Sequence, residues 1–80
     1  MSAVHTANST GFAKHWMNAN VALMNAIAKP SQEAFIDAHG HAIRAIGASY
    51  GGLQDAEWEM GQALARLITD AAARYGHFVP

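Results

Sequence analysis

AKPSQEAF, residues 28–35, decides how this chain folds, because it closes one helix and opens the next within a few residues. Pro30 has no amide hydrogen to donate and disfavours helical backbone at Lys29, so a helix arriving from upstream stops there. Ser31 is a strong N-cap residue, and Glu33 in the first turn complements the positive end of the helix dipole. Two helices joined by so short a break pack side by side in opposite directions.

Working outward from that break, Ser9 or Thr10 can cap a first helix over about 10–29. Residues 1–9 are small and polar without periodicity, and read as a frayed tail. Downstream, a second helix over 31–48 fades at GASYGG, residues 47–52. A third runs over about 54–75, with Arg74 in its last turn and Gly76 as a left-handed cap. The closing HFVP is a short apolar tail able to fold back on the helices. Alanine is abundant and β-branched residues are few, which favours helix throughout. The expected fold is all-α: one domain, a small three-helix antiparallel bundle with short turns, and oligomeric.

Projection at about 100° per residue sorts the side chains. Phe12, Trp16, Ala19, Leu23 and Ile27 share one face of the first helix, and Met17, Val21 and Met24 widen it. Phe35, Ala42, Ile43, Ile46 and Tyr50 align on the second. Leu53, Met60, Leu64, Leu67, Ile68, Ala71 and Tyr75 form the predicted core stripe of the third. Off that stripe, Trp58, Ala65 and Ala72 recur every seven residues. Small residues line the second helix too, with Ala34, Ala38, Ala42 and Ala45 on one flank and Gly40 and Gly47 on the other. Such residues allow close helix approach, either within the bundle or against another chain.

Composition narrows the function. The chain has 80 residues, no cysteine, a formal charge of −1, 51% hydrophobic and 14% charged residues. Disulfides and thiolate metal sites are excluded. Five Lys and Arg are too few for a substantial phosphate-binding surface. The N-terminal MSAVHTANSTGF lacks the pattern of a signal peptide, and VALMNAIA, residues 21–28, is far short of a membrane span. The expectation is a cytoplasmic protein without nucleic-acid or membrane partners. A core this small supplies only about 3–5 kcal/mol, and the surplus of apolar residues points to burial by another chain.

DAHGHAIRAI, residues 37–46, is the one stretch that resembles a chemical site. On a helix, His39 and His41 point about 200° apart and cannot share a metal. The i, i+4 histidine pair of HExxH is absent. Asp37, His41 and Arg44 read as a solvated polar stripe. His39 projects into the apolar face, where an unpaired imidazole is costly; Glu57 or Asn20 is the expected partner of this buried polar group. No G-x-S-x-G elbow and no phosphate loop occurs. No cofactor is expected.

These features point to a non-catalytic protein-interaction module, an adaptor, regulator or inhibitor that forms a homodimer or joins a partner protein. Trp58, Ala65, Ala72, Met17, Val21 and Met24 are its candidate interaction residues. A first alternative is a helical module binding a metal or haem-like ligand through His39 with His15 or His77. A second is a weak helix-turn-helix DNA binder with its turn near Gly40.

Overall fold

The computed structural model describes residues 3–49 and 56–80, with side chains from residue 11 onward. Three helices make up the bundle: α1 (Ala3–Ala28), α2 (Gln32–Ala48) and α3 (Ala56–Arg74). α2 runs antiparallel to both neighbours. Gly11 near the start of α1 lies beside Ala48 at the end of α2, and Gly61 near the start of α3 lies against Ile46. The result is a rod 46 Å long and 20 by 14 Å across its backbone. Tyr50 and Leu53, with the second half of GASYGG, lie outside the described residues.

The punctuation residues act as expected. Ser31 is extended at φ −156° and ψ 157°, and its hydroxyl accepts from the Ala34 amide at 3.1 Å. Ser31→Ala removes that acceptor and is expected to lower stability by about 1 kcal/mol; thermal unfolding followed by circular dichroism measures it. Gly76 takes φ 78°, a left-handed conformation open to glycine without steric cost. Around it the His77 amide donates to the Ala72 carbonyl at 2.8 Å and the Gly76 amide to that of Ala73 at 3.0 Å. Those two bonds form a Schellman cap. The tail then folds back: Val79 is buried in the core, and the Phe78 amide donates to Gln32 Oε1 at 3.0 Å. The Gln32 side-chain amide returns a bond to the Phe78 carbonyl.

The first helix starts earlier than its sequence suggests. α1 begins at Ala3, so Ser9 and Thr10 lie within it and the segment read as a tail is mostly helical. Neither glycine nor proline interrupts residues 3–10, and a helix already nucleated extends by one hydrogen bond per residue.

All three helices are also turned relative to their most hydrophobic stripes, each toward its alanines. Ala26 is buried in α1 while Ile27 is exposed; Ala38 and Ala45 are buried in α2 while Ile43 is exposed. In α3, Gly61, Ala65 and Ala72 face inward, and Met60 and Leu67 face out; Tyr75, just past the helix, is 45% exposed. Small side chains bring helix axes closer together, so the backbones themselves fill much of the interior. Ala65 and Ala72, expected off the core, therefore belong to it. Phe35 and Ile68 are the largest side chains that are fully enclosed.

Candidate interaction surface

Turning alanines inward turns large apolar side chains outward. On α1, Met17 is 62% exposed, Val21 54%, Met24 67% and Ile27 43%; on α3, Met60 is 42% exposed and Leu67 52%. Met17, Val21 and Met24 form a ridge along α1. On one side of it, Trp16 and Asn20 from α1 and Met60, Ala63, Leu64 and Leu67 from α3 line an apolar trough of about 410 Å³. On the other, Val21 borders a more polar groove between α1 and α2, with Asn18, Asn25, Asp37 and His41 along it.

The trough exists because α1 and α3 both pack on α2 and touch each other far less. Its α1 wall carries one polar side chain, Asn20, half-buried, whose amide donates to the Trp16 carbonyl one turn back at 2.9 Å. The Trp16 indole nitrogen is buried without a hydrogen-bond partner. Between Ala3 and Ala28, Lys14 is the sole Lys, Arg, Asp or Glu, one turn before Met17 at the N-terminal end of the ridge.

Trp58 stands elsewhere. It is half-buried beside Glu59, Gln62, Ala63 and Arg66 on the outer side of α3. With Ala65 and Ala72 committed to the core, the flat alanine strip expected beneath it is not available to another chain.

Comparison with known protein families, curated proteins and solved structures finds no match to this chain.

The histidines do not converge. Among the described residues no buried polar or charged side chain occurs. His39, expected to be enclosed, is half-buried, as are Glu57 and Asn20. Rotation of α2 toward Ala38 and Ala45 moves His39 from the centre of the packed face to its edge. Asn20 bonds its own helix instead of bridging to His39. His77 lies tilted against Phe35, ring centroids 5.8 Å apart, while His15 lies on α1 with Nδ1 buried and unpaired. Among the described residues no cluster of three or more His, Cys, Asp or Glu could hold a metal.

The polar stripe of α2 forms as the spacing predicts. Arg44 lies 3.3 Å from His41 Nδ1, and His41 Nε2 is 3.8 Å from Asp37. Arginine can only donate, so in this contact Nδ1 is the accepting atom. α2 is also continuous through Gly40, so the turn that a helix-turn-helix would need there does not form. Packing on both flanks carries that glycine despite its low helix propensity. Among the described residues no helix is long and apolar enough to cross a membrane.

The exposed ridge was visible in the sequence as residues beside the main stripe. The trough was not. It depends on where α3 sits relative to α1, and Met60 and Leu67 looked like core positions.

Proposed function

We propose that this chain is a non-catalytic protein-interaction module whose working surface is the ridge and trough of α1 and α3. The observation that carries this reading is an inversion of size. Ala19, Ala26, Ala38, Ala42, Ala45, Ala65, Ala71 and Ala72 are buried, while Met17, Met24, Ile27, Met60 and Leu67 are exposed. A monomer selected only for its own stability would gain by the opposite arrangement, since burial of a Leu, Ile or Met side chain contributes about 1.5–3 kcal/mol. Large exposed apolar surface in a chain with few charges is characteristic of a binding face. Methionines, unbranched and polarisable, suit a surface that adapts to what covers it.

The test is retention of proteins from native cell extract on the immobilised chain, against the same chain carrying Met17→Glu and Met24→Glu. Both sites are solvent-exposed, so helicity by circular dichroism should be unchanged. The wild type is expected to hold its partner at least tenfold more tightly, about 1.4 kcal/mol. Identical retention by the two chains would refute the assignment of this face.

A further inference from the structure

Resting on that reading, we infer that the ridge and trough are covered by a second copy of this chain, in a two-fold dimer. Two observations favour a copy of itself over an unrelated partner, and a third shows that the face is large enough. The first is shape. A protruding ridge, Met17 to Met24, runs beside a recess lined by Trp16, Asn20, Leu64 and Leu67. A two-fold axis places the same patch on both subunits, with residue i against j and j against i. A ridge next to a trough is self-complementary under that operation, because each copy's ridge enters the other's recess.

The second is charge. An isologous contact brings like groups close to their own copies near the axis, where equal charges repel. Lys14 is the only charged side chain between residues 11 and 28, and the trough wall of α3, formed by Met60, Ala63 and Leu67, has none. Lys14 stands at the N-terminal end of the ridge, one turn before Met17, so a two-fold axis through the middle of the ridge sets its two copies at opposite ends, and the remainder of the face is uncharged.

The third is extent. Met17, Val21, Met24, Ile27, Met60 and Leu67 together expose on the order of 600 Å², close to the roughly 800 Å² per partner of a standard interface. Trp16 and the exposed Ala13 and Ala63 beside them narrow the remaining difference. Asn20 supplies one polar group at the middle of the face, a device that fixes register in otherwise apolar helix contacts.

Sedimentation equilibrium of the full chain from low micromolar to several hundred micromolar tests the dimer. The wild type is expected at twice the 8.5 kDa chain mass. Met17→Glu with Met24→Glu should weaken association at least 100-fold. Leu67→Lys should do so from the α3 side without touching α1. Ile43→Glu, on the exposed outer face of α2, should leave the dimer intact, and circular dichroism on each sample reports the fold. A wild type that stays monomeric throughout overturns the second copy as occupant, while partner retention from extract still judges the interaction reading by itself. A dimer that survives both face variants, or that Ile43→Glu dissolves, also overturns the inference.

Discussion

Phe35→Ala is expected to cost about 3–5 kcal/mol, the range for truncating an enclosed phenylalanine. A core of this size supplies about the same amount in total, so the variant should be largely unfolded at 25 °C. Phe35 is fully buried near the start of α2 and touches elements far apart in the chain. Its ring stacks on Tyr75 at 5.9 Å and lies 5.8 Å from His77, both beyond the last residue of α3. Truncation would leave a cavity among rigid alanines that have no longer side chains to collapse into it. Phe78→Ala is the matched control, since that ring is 71% exposed and surface truncations usually stay within about 0.5 kcal/mol. Urea unfolding of the three chains, followed by circular dichroism, separates them. Equal effects at the two positions would contradict the packing described for α2.

The second large effect is at Gly61, where the substitution that ordinarily strengthens a helix should weaken this one. Alanine in a helix interior is favoured over glycine by about 1 kcal/mol. Here a β-carbon would stand 2.6 Å from Ile46 Cγ1 and 3.4 Å from the Ile46 backbone nitrogen. Cγ1 is attached directly to the branched Cβ of isoleucine, which has little rotamer freedom in a helix. Relief therefore requires α2 and α3 to separate, and overpacking of that kind costs about 1–3 kcal/mol. In an Ile46→Ala background the obstruction is gone, and Gly61→Ala should become neutral or stabilising. The sign change is the diagnostic, and a double-mutant cycle from denaturant midpoints measures it. Additive effects would mean that the two helices do not meet at this point.

Both predictions come from parts of the structure that hydropathy does not reveal. The helix boundaries at Pro30, Ser31, Arg74 and Gly76 were legible because each rests on local backbone chemistry, and the structure places them as expected. The rotation of each helix was not. Ile43 and Ala38 differ greatly in hydrophobicity, and projection favours the isoleucine; close packing favours the alanine, because it lets two backbones approach. The same competition moved Ala65 and Ala72 into the core and Met60 and Leu67 out of it. Of the candidate interaction residues, Met17, Val21 and Met24 are exposed, since they flank the stripe on either assignment. Trp58 lost its surroundings when the alanines beneath it turned inward. His39 is half-buried for the same reason, set by a helix phase that one sequence does not specify.

The tail that seals Phe35 has a bearing on the order in which the molecule assembles. Gln32 and Phe78 are 46 residues apart, whereas α1 and α2 meet across a break of a few residues. Closing the larger loop costs more chain entropy, and that cost falls due before its contacts form. The α1–α2 hairpin is thus the expected nucleus, and docking of Val79 into the core is expected on the downhill side of the barrier. Contacts made after the transition state govern the rate of unfolding and leave the rate of folding almost unchanged. The last few residues are expected to act as a latch: removing their contacts should speed unfolding and leave the rate of folding almost unchanged.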